Sequence, residues 1–178
     1  MAREYRAFPV DAARDDSHGS IDVPLMARVT RLPVGGRLLD IGCGGGCGLV
    51  ALARACRPRA LVGVDTDQRL LAAAAERLAA ESVRGLLVRG DARRLPFPDR
   101  AFDAVVDFGT CWHIAEPGRA LAEIARVLRP GGLFVHETRI NQLTTHPVRS
   151  LLGRLPWRDA PRLVPRRSSL LWGVRSAS

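Results

Sequence analysis

The sequence predicts one α/β domain, with a mostly parallel sheet covered by helices on both faces. Three observations lead there. Short apolar runs alternate with helical patterns between residues 37 and 137. The runs lack strict apolar–polar alternation, as suits strands buried on both sides. Four of the run ends carry polar residues, which a parallel sheet collects along its carboxyl edge.

The elements follow in order. Residues 22–32, "DVPLMARVTRL", predict a helix with Asp22 as cap, Pro24 in the first turn, and Leu25, Val29 and Leu32 on one face. "PVGG" interrupts the chain, and "RLLDIG" (37–42) reads as the first strand. "LVALARAC" (49–56) reads as a helix stopped by Pro58, and "ALVGVD" (60–65) as the second strand. The alanine-rich 67–81 is a helix, "GLLVRGD" (85–91) the third strand and "FDAVVDFG" (102–109) the fourth. Helix 117–128 places Leu121, Ile124, Ala125 and Leu128 on one face. "RPGG" (129–132) turns the chain into a fifth strand, 133–137. Beyond it, 146–155 suggests a short helix and 168–176 a final strand. The proline-containing stretch between them offers no clear partner strand, so the carboxyl-terminal region reads as shortened. Crossovers between parallel strands are expected to be right-handed.

Composition narrows the class. The chain has 178 residues, 47% hydrophobic and 25% charged, ordinary values for a soluble globular protein. No apolar run approaches the roughly 20 residues that span a bilayer. The first 20 residues lack a signal-peptide pattern, so the expected location is the cytoplasm. The net charge is +9, and all 27 basic residues are arginine. Residues 138–178 hold eight arginines against one acid, so the excess sits in the tail. A basic tail suits nucleic acid or an anionic membrane, but it lacks the interleaved aromatics of a single-strand binding surface. Cys43, Cys47, Cys56 and Cys111 form no CxxC pair or Cys/His cluster and read as small buried thiols.

The expected edge holds "DIGCGGGCG" (40–48), Asp65, Asp91 and the stretch Asp107 to His113. A dinucleotide fingerprint needs G-x-G-x-x-G. Gly42 and Gly44 fit, but Cys47 stands at the third glycine position. No Gly-Lys-Ser/Thr follows, so the Walker loop is also absent. Asp40 argues further against a phosphate. Like charges about 4 Å apart, at an effective dielectric near 20, repel by about 4 kcal/mol. A cationic ligand reverses that sign, and S-adenosylmethionine carries an ammonium and a sulfonium but no phosphate. Asp65, ending the second strand, suits ribose hydroxyls. Asp91 suits the adenine amine, and Asp107 the methionine end.

"LLDIGCGGG", "VGVDTD", "GDARRLPFPDRAFDAVVD" and "RVLRPGGLFV" together resemble the class I S-adenosylmethionine-dependent methyltransferases, and most nearly the branch of ubiquinone- and menaquinone-biosynthesis enzymes. The resemblance covers roughly residues 35–137 and implies a Rossmann-like, doubly wound fold. It implies three segments: an N-terminal cap (1–34), a cofactor-binding core (35–137) and a basic carboxyl-terminal segment (138–178). It also implies that S-adenosylmethionine, and the product S-adenosylhomocysteine, contact Asp40, Gly42, Cys43 and Gly44 at the methionine end. Asp65 and Thr66 fall to the ribose, Asp91 and Ala92 to the adenine, and Asp107 and Phe108 lie close to the cofactor.

Methyl transfer is an in-line displacement on an activated carbon, so alignment and exclusion of water carry much of the catalysis. A general base is needed only where the acceptor loses a proton. His113 in "DFGTCWHI" is the candidate base, with His136 and Glu137 as second candidates. Trp112 is placed to wall the pocket. Cys111 has no role as a nucleophile in direct transfer. The expected partner is a small-molecule methyl acceptor, with a homodimer as the assembly an exposed apolar edge would favour. Two other readings compete: a non-catalytic cofactor- or partner-binding protein of this fold, and a nucleic-acid methyltransferase. "DFGTCW" stands where an amino-methylating nucleic-acid enzyme carries Asn/Asp-Pro-Pro-aromatic, which argues against the latter. A nicotinamide oxidoreductase ranks last.

Overall fold

The computed structural model describes residues 23–137, 163–168 and 172–177. Helix α1 (Val23–Thr30) leads into β1 (Arg37–Ile41), α2 (Cys47–Cys56), β2 (Ala60–Asp65), α3 (Gln68–Ala80) and β3 (Leu86–Arg89). Then follow β4 (Phe102–Asp107), a 3₁₀ turn (Thr110–Trp112), α4 (Pro117–Val127), β5 (Leu128–Glu137), β6 (Leu163–Ser168) and β7 (Trp172–Ala177). The sheet order is β3-β2-β1-β4-β5-β7-β6. The pairs among β1 to β5 are parallel, and β7 lies antiparallel between β5 and β6. The strand order reverses between β1 and β4, and that switch point opens a crevice at their carboxyl ends.

Both faces are buried because successive strand residues feed different layers. Leu38, Ala104 and Val106 pack with α1, α2 and α3 through Met26, Leu49, Leu52, Leu71 and Leu78. Leu39, Ile41, Val105 and Phe134 face the other way, against Leu121, Ile124 and Leu95. The expected strands and helices fall within a few residues of the observed ones from β1 to α4.

Three details correct the sequence reading. Helix α1 buries Val23, Met26, Ala27 and Thr30, and leaves Leu25 and Val29 exposed. The helix has two apolar stripes, and the buried one is closed by the Thr30 hydroxyl, which donates to the Met26 carbonyl (2.7 Å). "RPGG" lies inside β5 and not before it. Phe102 pairs with Leu128 and Ala104 with Leu133, so three extra residues bulge out, with Gly131 at φ +74°. A partner for the last strand does exist: β6 comes from the proline-containing stretch, and Pro165 sits beside a shift in its pairing with β7. The final strand itself begins at Trp172. The helix expected at 146–155 lies outside the described residues, as does Asp22.

A second feature had no local signal. Arg126 in α4 pairs with Glu123 (2.8 Å) and Asp99 (2.8 Å), and donates to the carbonyls of Phe97 (2.8 Å) and Leu95 (3.0 Å). Glu123 accepts the Leu95 amide (2.8 Å). These bonds tie the β3–β4 loop to α4. Arg126→Ala strands a half-buried carboxylate and two carbonyls, and is expected to lower stability by about 2 kcal/mol. A denaturant midpoint equal to wild type would show that the network carries no weight.

Candidate functional site

The crevice is built around three buried carboxylates from three strand ends. Asp40 and Asp107 are 1% exposed and Asp65 is 5% exposed. Asp40 is opposite Gly63 of β2 and Val106 of β4 in register. One Asp40 oxygen, Oδ1, is buried and has no hydrogen-bond partner. Burial, then Asp107, then Asp65, push its carboxyl well above the usual carboxylate range. Such an oxygen is costly unless a proton or a cationic ligand completes it.

The loop 42–46 spans β1 and α2, and its glycines do different things. Gly42 (φ +67°) and Cys43 donate to the Val64 carbonyl (2.8 and 3.1 Å), and a side chain at Gly42 would strike Thr110. Gly46 (φ +80°) lies against Ala74 of α3. Gly44 (φ +51°) and Gly45 face open space. The first and last glycines therefore fit the loop to its neighbours, and the middle two leave room for a ligand. Helix α2 starts behind Gly46 with no side-chain cap. Gly48 lies beneath the Phe108 ring and Asp40 Oδ2, where a β-carbon would approach both within about 3.1 Å.

Other expected contacts occupy defined places. Asp65 accepts the Gly44 amide at Oδ2 (2.9 Å) and the Asp67 amide at Oδ1 (2.9 Å), so it pins the glycine loop to β2. Each of its oxygens keeps a second lone pair. Thr66 is exposed, and its carbonyl accepts Arg89 Nε (3.3 Å). Asp91 accepts the Arg93 amide (2.8 Å) and the Arg93 guanidinium (2.6 Å at Nη2), and this pairing holds its carboxyl below the usual range. Ala92 is buried beside it.

Asp107 is turned toward its own chain: Oδ1 accepts the amides of Gly109 (3.1 Å), Thr110 (2.6 Å) and Cys111 (3.3 Å). It thereby shapes the turn that delivers His113, whose amide donates to the Thr110 carbonyl (2.9 Å). His113 is half-buried there. His136 is opposite Asp107 in register and is buried with Glu137 at the end of β5. All four cysteines are free thiols, and Cys43, Cys56 and Cys111 are buried. Burial first, then Asp40 and Asp65, raise the Cys43 thiol; burial alone raises Cys56 to about 11. The cap made by Asp107 and the pin made by Asp65 escaped the sequence reading. An Asp two and three residues ahead of Gly109 and Thr110 was the only hint of the first.

Together these place three buried acids, an open stretch of glycine loop and the uncapped start of α2 at the sheet's switch point. The family described as "Methyltransferase domain" matches residues 39–136, more than half the chain, and the chain belongs to that family. It is 41% identical over 103 residues to a fatty-acid O-methyltransferase of Mycolicibacterium smegmatis, covering 57% of this chain and 36% of that protein. It is 36% identical over 109 residues to a demethylmenaquinone methyltransferase of Symbiobacterium thermophilum, covering 60% and 43%. The chain thus spans less than half the length of these curated relatives. Among solved structures, the PH0226 protein of Pyrococcus horikoshii superposes with a TM-score of 0.73 over 98% of both chains at 21% identity, which supports the fold. The (4+2) cyclase SpnF shares 34% identity with a TM-score of 0.61, over 76% of this chain and 48% of that one. The resemblance to class I methyltransferases and the doubly wound fold both stand.

The Asp107 carboxyl supplies a pH test. Burial raises it from its ordinary 3.8 to about 6, against the pull of the hydrogen bonds from Cys111, Thr110 and Gly109. Between those values the folded protein keeps a proton that the unfolded chain has released. Its contribution to stability therefore falls as pH rises from about 4 to about 6, by up to about 3 kcal/mol. Asp107→Asn keeps an acceptor for the turn amides and removes the titration. Denaturant midpoints across that window are expected to fall less steeply with pH in the variant. Parallel profiles would show that Asp107 does not titrate there.

Proposed function

We propose that this chain binds S-adenosylmethionine in the carboxyl-edge crevice and transfers its methyl group to a small-molecule acceptor. The buried, unpartnered Asp40 oxygen beside an open glycine loop carries this reading. It asks for a cation and disfavours a pyrophosphate. The uncapped start of α2 favours an anionic group nearby. An amino-acid end, with one ammonium and one carboxylate, answers both requirements in one ligand.

In this reading Asp40, Gly42, Cys43 and Gly44 hold the methionine end, with Phe108 packed above. Asp65 and Thr66 take the ribose, and Asp91 with Ala92 the adenine. When bound, the cofactor supplies a methyl carbon already activated by its sulfonium. The chain's own part is to align the acceptor, keep water out and accept a proton where the acceptor loses one. His113, delivered over the crevice by the Asp107 turn, takes that proton at its ring nitrogen. Support for an apolar small acceptor comes from the relatives, one named for fatty acids and one for demethylmenaquinone. A second reading, in which the site serves another reaction or binding alone, draws on the likeness to SpnF, named as a cyclase.

Calorimetry tests the cofactor assignment. S-adenosylmethionine and S-adenosylhomocysteine are expected to bind and NAD to fail. Gly44→Ala, placed in open space, is expected to weaken binding by at least tenfold while costing stability only about 1 kcal/mol of backbone strain. A preference for NAD, or unchanged affinity in Gly44→Ala, would remove the assignment. Binding without methyl transfer to any lipid-like acceptor would favour the second reading.

A further inference from the structure

The opposite edge of the sheet has a different character. Because β1 to β5 are parallel, their first residues share one edge, and each start carries an arginine: Arg37, Arg59, Arg84, Arg100 and Arg129. Asp103 is the acid of that edge that faces them. It accepts the Arg37 amide (2.7 Å) and pairs with Arg129 (2.5 Å), Arg37 (3.5 Å) and Arg59 (3.6 Å). Asp99 and Glu81, the neighbouring acids, pair with Arg126 and Arg54. Arg31, Arg57, Arg84 and Arg100 are exposed and make no ion pair among the described residues.

Backbone conformation adds an independent observation. Among the described residues, five non-glycine residues have positive φ, and three of them are arginines here: Arg31 (+55°), Arg57 (+43°) and Arg100 (+58°). Arg31 and Arg57 follow the ends of α1 and α2, where glycine is the usual residue. Side chains are thus held at positions the backbone disfavours, and all three bring a free positive charge to one rim. Interleaved with them are exposed aliphatics: Val34 (75% exposed) between Arg31 and Arg37, Leu86 (58%) beside Arg84, and Val29 in the last turn of α1.

We infer that this amino edge is a docking face for an anionic bilayer surface. Arginines beside protruding aliphatic side chains match a layer of anionic headgroups over acyl chains. Exposed aromatics, which would stack on single-stranded bases, are absent from these strand starts among the described residues, and that argues against nucleic acid as the occupant. The face lies at the far end of the strands from the crevice, so a docked molecule keeps the crevice open to the aqueous side. The proposal is independent of the cofactor reading.

Flotation of the full chain with vesicles tests it. The chain is expected to bind vesicles of equal parts phosphatidylglycerol and phosphatidylcholine, to be released by salt, and to ignore phosphatidylcholine alone. Replacing Arg31, Arg57 and Arg100 together by glycine removes three charges and relaxes three backbone positions. Binding is expected to weaken on the order of 100-fold, with a melting temperature no lower than wild type. Arg84→Gln, at an ordinary backbone position, is expected to weaken it about fivefold and covers the case in which the triple variant does not fold. Undiminished binding in these variants would move the contact to the basic 138–178 segment and overturn the proposal. So would failure to bind the anionic vesicles, or tighter binding to duplex DNA at the same salt.

Discussion

Asp40 is the residue on which the proposed ligand preference of the crevice depends. It is the penultimate residue of β1, the middle one of the five parallel strands, so β2 and β4 flank it and water cannot reach it. Two more carboxylates stand at the neighbouring strand ends. Asp65 and Asp107 are each satisfied by backbone amides, which they use to fix the glycine loop and the turn after β4. Asp40 has no such use for one of its oxygens. A buried carboxylate oxygen that lacks a partner is a cost to the fold, and a proton or a cation lowers that cost. In the proposed reading the glycines around it supply access, and the acid supplies the preference.

The parallel sheet separates two kinds of surface. Strand carboxyl ends gather acids at the switch point, and strand starts gather arginines at the opposite rim. Asp103 and Arg126 show how the sequence handles the charges that fall between: Asp103 ties β1, β2 and β5 together at their starts, and Arg126 ties the β3–β4 loop to α4. Among the described residues, the crevice acids have no basic partner except at Asp91. The excess positive charge therefore has two homes: the tail after residue 137, and a rim that cannot be seen without the topology.

Much of this was legible in the residues. Strand–helix alternation sets a parallel sheet, and β2 and α4 begin where Ala60 and Pro117 predict. The departures have physical causes. Helix α1 carries apolar residues on two stripes, and periodicity alone cannot say which one meets α2. The β6 strand is rich in arginine and contains proline, so no local propensity marks it; pairing with β7 makes it a strand. The Arg126 network joins residues about 30 positions apart, beyond the reach of any local pattern. In the crevice, the acids were found because they end apolar runs. Their division of labour was not, because only geometry tells a carboxylate that holds amides from one with an unpartnered oxygen.

In the proposed function, Asp40 selects a ligand by its ammonium group. The most direct measurement compares S-adenosylhomocysteine with its analogue lacking the α-amino group, titrated calorimetrically into wild type and Asp40→Asn. Wild type is expected to lose at least tenfold in affinity for the analogue, as a charge-assisted hydrogen bond of about 1.5–3 kcal/mol requires, and Asp40→Asn to discriminate little. Equal discrimination by both proteins would show that Asp40 does not read the ammonium, and that the buried carboxyl has another purpose.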